Sequence, residues 1–374
     1  MLTLSNVNSY EFYLGCDLMK NVLFLFGGAS SEHDVSVVSA RSVIENTPSD
    51  KYNLILVGIT KDGRWLKYDG DTSKLPEDKW LEDESCLTKA VISPDRADHG
   101  ILVFGKDGVE KIHIDVVFPV LHGKNGEDGT IQGFLQLAGI PFVGCDMLSS
   151  ACCMDKIMTN TLADAAGIPQ ARWLGAVKYD YDKNREQYIS RAEEYLGFPI
   201  FVKPANAGSS VGVSKATDRE TLIAAIDKAF KEDSKLVLEE GVVGQEVECA
   251  VLGNEEPVAS VCGEIVACND FYDYEAKYIN PASELHIPAR LSEEKMNEVR
   301  EAARNAYKAL GCSGLARVDF FVRSSDGKVM LNEPNTIPGF TAISMYPKLF
   351  DASGVPYSEL IDRLLTIAME KWKK

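Results

Sequence analysis

The sequence holds nine cysteines and no C-x-x-C pair: Cys16, Cys86, Cys145, Cys152, Cys153, Cys249, Cys262, Cys268 and Cys312 are scattered through 374 residues. An odd, dispersed set argues against a disulfide framework or zinc site, and for reduced packing thiols in a cytoplasmic protein. The five histidines form no H-x-x-x-H ligand pair. No apolar run approaches membrane-spanning length, and Glu11 and Asp17 precede the first cation, Lys20, so the basic region of a signal peptide is missing. Met19, directly before "KNVLFLFGG", is a second candidate start. Positive charge is scarce. With Lys+Arg 39 against Asp+Glu 56, the net charge of -17 repels nucleic acid and anionic membrane, so neither is an expected partner. An anionic substrate therefore needs locally gathered lysines and arginines. G-x-x-x-x-G-K-[ST] does not occur, which removes the simple phosphate loop. What is present, 45% hydrophobic and 25% charged residues, is ordinary for a globular protein with room for two or three domains.

From Asn21 the first third alternates apolar runs with amphipathic segments: "NVLFLF", "HDVSVVSARSVIE", "NLILVGIT", "DVVFPVLHG", "GTIQGFLQLAG" and "IPFVG". That alternation predicts parallel βαβ units and a doubly wound α/β domain over residues 19–145, with residues 1–18 as an extension. Ile131, Phe134, Leu135 and Ala138 follow i, i+3, i+4, i+7, and Gly139 with Pro141 marks the helix end. Residues 61–108 are charged and irregular, the pattern of an insertion. A second unit, 146–243, is expected to hold a helix through "DKIMTNTLADAAG", another near Ser190, and a strand into Lys203. A small-residue loop, a strand returning from Val211, a helix capped by the Thr217-x-x-Glu220 box and the strand "KLVLEE" follow. The third unit, 244–374, contains a helix after Ser292 with Met296, Val299, Ala303, Ala306 and Leu310 on one face and Gly311 at its end.

In "LARVDFFVRSSDGKVMLNEPNTIPGF" two β-rich runs flank Asp326-Gly327 and predict a hairpin. A three-residue loop, Ser325-Asp326-Gly327, puts Asp319 opposite Glu333 and Arg317 opposite Asn335, all on one face. A two-residue loop shifts the pairing by one and destroys the cluster. Two carboxylates and an amide oxygen are hard ligands suited to Mg²⁺ on nucleotide phosphates, although a solvated hairpin with an incidental ion pair carries the same residues. The stretch "VKPANAGSSVGVSK" follows strand-borne Lys203 with small residues whose backbone amides can face phosphate; a surface turn fits as well. The S-x-x-K from Ser292 to Lys295 reads as a helix cap, with Glu293 and Glu294 favouring the dipole. "PVLHGKNGEDG" sets His122 at the carboxyl end of a strand before a glycine-rich loop, where open α/β sheets bind ligands, and "GGASSEHDVS" does likewise with Glu32. Glu239 ends a strand, Glu246 opens the next, and "FYDYEAKY" gathers aromatics around Lys277; solvated carboxylates and aromatic packing are the plainer accounts.

These motifs occur together and in order. Through "GGASSEHDVS", "LHGKNGEDGTIQG", "MDK", "VKPANAGSSVGVSK", "LEEGVVGQEVE", "FYDYEAKY", "ARVDFF" and "NEPNTIPGFT", the chain resembles the D-alanine:D-alanine ligase family of ATP-grasp enzymes from Met19 onward. "ANAG" departs from that family's commonest loop wording. The resemblance implies that central and carboxyl-terminal domains sandwich ATP, with Lys156 and Lys203 on its phosphates, Glu239 and the following backbone at adenine, and Glu246 at the ribose. Ser209 and Lys277 belong to the same nucleotide set. Asp319, Glu333 and Asn335 would hold two Mg²⁺, with Mn²⁺ as the alternative. Ser209, Glu32 and Tyr278 would surround the first D-alanine; Arg317 and the Gly339 amide would stabilise the oxyanion. Ser344, the Met345 backbone and Lys277 would hold the second carboxylate, with His122 and Tyr272 nearby.

The implied reaction is ligation of two D-alanines through a D-alanyl phosphate, for peptidoglycan precursors, by a cytoplasmic homodimer. Other readings remain. "LHGKNGEDG" and "GCSG" are also similar to the D-serine branch found in vancomycin resistance, which typically has arginine where Met345 stands; the D-lactate branch lacks the tyrosine at Tyr278. Another ATP-grasp ligase would share the hairpin but lack the Glu32, Ser209 and Tyr278 set. A non-catalytic nucleotide-binding regulator is expected to have lost Arg317 or a metal ligand.

Overall fold

The computed structural model describes residues 19–208, 211–266 and 284–373. Three sheets organise them. The first grows from β1 (Lys20–Gly27), where Val22, Phe24 and Phe26 enter one hydrophobic cluster and Leu23 and Leu25 another. A strand apolar on both faces belongs between two layers. It pairs in parallel with β2 (Tyr52–Ile59) through the crossover helix α1 (His33–Asn46), and with β7 (Val116–Leu121) on its other side. Residues 61–108 are not irregular, contrary to expectation. β3 (Trp65–Tyr68), β4 (Leu87–Ile92), β5 (Gly100–Gly105) and β6 (Gly108–His113) continue the sheet antiparallel, in the order β6-β5-β4-β3-β2-β1-β7. These strands are short and largely exposed at the β6 edge, so their sequences carry too few apolar positions to show the period. α2 (Thr130–Ala138) ends at Gly139 in the left-handed region, φ 71°, as the stop signal predicts.

α3 (Met147–Met154) and α4 (Lys156–Ala165) lead into the second sheet, ordered β10-β9-β11-β8 and antiparallel throughout. Its strands are β8 (Trp173–Val177), β9 (Ile200–Pro204), β10 (Ser214–Ala216) and β11 (Lys235–Glu240), with helices α5 (Lys178–Lys183), α6 (Arg185–Leu196) and α7 (Arg219–Glu232) between them. Ile200, Val202, Leu236 and Leu238 pack with Ile189 of α6 and with Leu222 and Ile226 of α7. By the two-residue period, Phe201, Lys203, Val237 and Glu239 face the other way. Two boundaries differ from expectation. The returning strand begins at Ser214, not Val211. α7 is capped by Asp218 with Thr221, one residue beyond the expected box, because aspartate is the stronger cap and Thr221 completes the reciprocal bond.

The third sheet, β14-β13-β12-β15-β16, comprises β12 (Gly244–Gly253), β13 (Val258–Val266), β14 (Glu284–His286), β15 (Gly314–Arg323) and β16 (Val329–Asn335). α8 (Glu293–Ala309), capped by Ser292 as predicted, buries Val299, Ala303 and Ala306 against Val247, Cys249, Ala316, Val318 and Phe320. Glu246, Glu248, Arg317 and Asp319 therefore lie on the uncovered face. After α9 (Met345–Asp351), α10 (Tyr357–Lys371) packs Leu360, Ile361, Leu364 and Leu365 into the cluster that holds Phe24 and Phe118 of the first sheet and Leu315 of the third. One apolar core thus joins the first and last units. The seven described cysteines are free thiols. No helix among the described residues is long and apolar enough to cross a membrane.

Candidate active site

The β15–β16 hairpin sets Arg317 opposite Asn335 and Asp319 opposite Glu333, the expected pairing reached by another route. Val322 faces Val329 and the Arg323 N–H donates to Lys328 O at 3.0 Å, so Ser324–Gly327 is a loop one residue longer than expected. Continued unbroken, that register would put Asn332 opposite Asp319 and turn Glu333 towards α8. A bulge intervenes: Phe320 faces Leu331, Asp319 faces Glu333, and Asn332 is the extra residue. Bulges re-aim side chains in this way. Here one residue returns Glu333 and Asn335 to the face of Arg317.

Asp319, only 3% exposed, accepts from Arg317 Nε at 2.8 Å and Nη2 at 2.7 Å, and from Asn335 Nδ2 at 2.9 Å. With its nitrogen committed, Asn335 keeps its oxygen for a cation. β12 adds Glu248, directly opposite Asp319, with Oε2 3.1 Å from Arg317 Nε. Burial alone would lower the Arg317 pKa, but the adjacent Asp319 and Glu248 carboxylates hold it well above its ordinary value. Arg317 is therefore a permanently charged group clamped between two buried anions. Glu248 was missed by sequence reasoning, since "EVECAV" distinguishes it from no other strand carboxylate; only the β12–β15 register reveals it.

Across a cavity of about 780 Å³, this face looks at the uncovered face of the second sheet. Lys203 Nζ lies 2.6 Å from Glu239 Oε2, and Asn160 of α4 donates to Glu239 Oε1 at 3.3 Å. Burial pulls the Lys203 pKa down, yet Glu239 first, then Glu333 and Glu246, raise it overall. Its charge is thus already set by carboxylates from both sheets. Asn332 Oδ1 stands 3.5 Å from the same ammonium, a second residue whose role only the bulge discloses. Lys156 opens α4 behind its cap Asp155 and ties down the small-residue loop, Nζ donating to Ala207 O at 2.8 Å and its backbone N–H to Ala205 O at 3.0 Å. Glu246 also lines the cavity.

The first domain contributes Glu32 and His122, both buried. A Cβ built at Gly123 would lie 2.3 Å from Glu32 Oε2, and one at Gly208 3.0 Å from it, so this carboxylate abuts both the His122 loop and the small-residue loop. Glycine at these two positions is what lets the loops close on it. His122 has Nε2 3.3 Å from Ser39 Oγ and Nδ1 3.6 Å from Glu127 Oε1, while Glu127 Oε2 accepts the Gly123 N–H at 3.0 Å. Ser39 Oγ also accepts the Phe340 N–H at 3.4 Å, linking this group to the segment of Gly339. Neither Ser39 nor Glu127 was anticipated. A Cβ at Gly339 would come within 2.7 Å of Ser344 Oγ, and that hydroxyl is engaged by Thr341 through N at 3.0 Å and Oγ1 at 2.8 Å. Met345 is buried over Gly263, where an added Cβ would meet Met345 Cε at 2.1 Å. Ser209, Tyr272, Lys277 and Tyr278 lie outside the described residues.

Comparison with known proteins agrees with this layout. Residues 21–145 match the family model for the D-ala D-ala ligase N-terminus, and residues 162–366 that for its C-terminus. The chain is 51% identical over 350 residues to the D-alanine--D-alanine ligase of Caldicellulosiruptor bescii, covering 94% of this chain and 95% of that one. With the enzyme of the same name from Acetivibrio thermocellus it shares 50% over 364 residues, covering 94% and 96%. Among solved structures, VanG D-Ala:D-Ser ligase from Enterococcus faecalis superposes with TM-score 0.86 at 42% identity, covering 94% of this chain and 100% of that one. The D-alanine-D-alanine ligase from Coxiella burnetii gives 0.82 at 34%, covering 95% and 96%. The fold is the ATP-grasp arrangement expected from the sequence. Two facing sheets, a clamped arginine and family matches over both halves lead to one conclusion: the chain belongs to the D-alanine–D-alanine ligase family.

Proposed function

We propose that this chain joins two D-alanines at the expense of ATP, through a D-alanyl phosphate, to supply peptidoglycan precursors. The observation that carries this reading is the cavity itself: partly buried Lys203 and Arg317 meet the Asp319, Glu333 and Asn335 face across a space of small-molecule size. Lys156 and Lys203 hold the phosphates, Glu239 and the backbone after it the adenine, and Glu246 the ribose. The oxygen donors of Asp319, Glu333 and Asn335 fit a hard divalent cation, Asn335 having turned its nitrogen to Asp319. Two Mg²⁺, or Mn²⁺ in their place, would supply neutralisation of phosphate charge when bound.

The protein's own groups do the positioning. Glu32, with Ser209 and Tyr278, orients the first D-alanine so that its carboxylate reaches the γ-phosphate, a transfer that depends on alignment more than on covalent help. Arg317, fixed from both sides, and the Gly339 N–H stabilise the oxyanion formed when the second amine attacks the acyl phosphate. Ser344, the Met345 backbone and Lys277 hold the second substrate, with His122 and Tyr272 beside it. We place the enzyme in the cytoplasm as a homodimer. Its working units are 19–145, 146–243 and 244–374, with 1–18 as an extension and 61–108 inserted in the first.

A D-serine reading has one observation in its favour, the likeness to VanG D-Ala:D-Ser ligase. Against it, Met345 is apolar and packed on Gly263. Arg317 and all three oxygen donors are present, which counts against a non-catalytic regulator. The test is ADP release and product mass with ATP, Mg²⁺ and D-alanine, D-serine or D-lactate in competition. D-alanyl-D-alanine is the expected main product. D-alanyl-D-serine in excess at equal concentrations overturns the substrate claim, and no ADP with any of the three overturns the ligase claim.

A further inference from the structure

Five cations among the described residues line the cavity: Lys156, Lys203, Arg290, Arg317 and Lys348. Four are engaged. Lys203 pairs with Glu239, Arg290 with Glu264 and Arg317 with Asp319 and Glu248, while Lys156 donates to Ala207 O. Lys348 alone among them has a side chain with no ion pair or hydrogen bond. It is only partly exposed, on a helix whose neighbours Tyr346, Pro347 and Leu349 are buried. An ammonium held at a cavity wall without an internal anion is free to meet one brought by the ligand.

Its place in the fold narrows which anion. Lys348 lies one helical turn beyond Ser344, the residue that precedes α9, and both line the cavity. Thr341, Ile343, Ser344 and Met345 line the same wall, and α9 rests on β12 and β13 with the Met345 methyl over Gly263. Building on the ligase reading above, we propose that Lys348 is a further substrate-binding residue that receives the α-carboxylate of the second amino acid together with Ser344.

The reaction explains why that charge needs a dedicated cation. The first amino acid's carboxylate becomes an acyl phosphate and then an amide, and the second one's amine is consumed in the new bond. Only the second carboxylate passes unchanged from substrate to dipeptide. A cation on it stabilises ground state, transition state and product alike, so it lowers KM and leaves kcat nearly untouched.

Full-length Lys348→Met and Lys348→Arg are compared with the wild type, the two D-alanine Michaelis constants being separated by the curved dependence of rate on D-alanine. Loss of one charge-assisted bond at a partly exposed site predicts roughly a tenfold rise in the second D-alanine constant for Lys348→Met. The first constant, the KM for ATP and kcat should stay within about twofold, with Lys348→Arg recovering most of the loss. D-Alaninamide, which has no carboxylate and can serve only as the amine, should be used equally by wild type and Lys348→Met. An unchanged second constant, or an equal loss with D-alaninamide, overturns the role of Lys348 while leaving the ligase reading intact. A wild-type protein that makes no dipeptide overturns both.

Discussion

Replacing Glu248 with glutamine removes one of the two carboxylates that bracket Arg317 and preserves the side chain's shape. The pair is 3.1 Å apart, with 14% and 4% of the two side chains exposed. At an effective dielectric near 20, the gross attraction at that distance is about 5 kcal/mol. Part of it is offset, because the glutamine no longer has to be stripped of a carboxylate's hydration. Asp319 also keeps its two bonds to Arg317. The expected net loss is therefore about 2 kcal/mol, below the roughly 3–5 kcal/mol for breaking a buried pair outright. In a chain of this size that lowers Tm by roughly 2–3 °C. Activity should fall further, by about tenfold or more, since Arg317 loses one of its two tethers and oriented groups tolerate little displacement. Thermal unfolding of Glu248→Gln, Arg317→Met and the double variant measures the coupling, expected at about 1–2 kcal/mol. Additive losses, or a Glu248→Gln protein with wild-type Tm and rate, would refute the claim that Glu248 positions Arg317.

Glu333→Ala should abolish ADP release while the protein stays folded, because it removes an oxygen donor at the phosphates, and chelating divalent cations should do the same to the wild type; near-normal ADP release by a folded variant sinks the metal assignment. Glu264 is held down to about 2 by its bonds to Arg290, against burial and with help from Gln245. A depressed carboxylate stabilises the fold above its unfolded pKa near 4.5 and loses that contribution as pH falls through about 2. Arg290→Met should therefore be less stable than wild type near pH 6, with the gap in Tm closing between about 4.5 and 2; a gap independent of pH would contradict the pairing. Gly263→Ala should drive Met345 towards the cavity and cut dipeptide synthesis several-fold, since the new Cβ lands 2.1 Å from Met345 Cε. Met345→Ala in the same chain should restore it, and failure to rescue means the loss arises elsewhere.

The sequence was enough for whatever rests on local periodicity and chain ends. The runs of β1 and β7, the helix that stops at Gly139, the cap at Ser292 and the alternation that turns Lys203 away from Ile200 and Val202 all follow from spacing, because side chains alternate in a strand and repeat in a helix whatever surrounds them. Motif order carried the family. Tertiary structure decided the rest, because those features depend on which segments pair. Residues 61–108 read as irregular until β2 offers an edge for β3 to join. The Asp319–Glu333 pairing was expected from a three-residue loop but arises from a longer loop and a compensating bulge at Asn332, two departures that cancel at the site and that no short window of sequence displays. Glu248 becomes Arg317's second anion only through the β12–β15 register, and Asn160, Ser39 and Glu127 gain their partners from elements tens of residues away. A side chain's chemical type is written in the sequence. Which charge it faces is a long-range property, fixed only when sheets pair and pack.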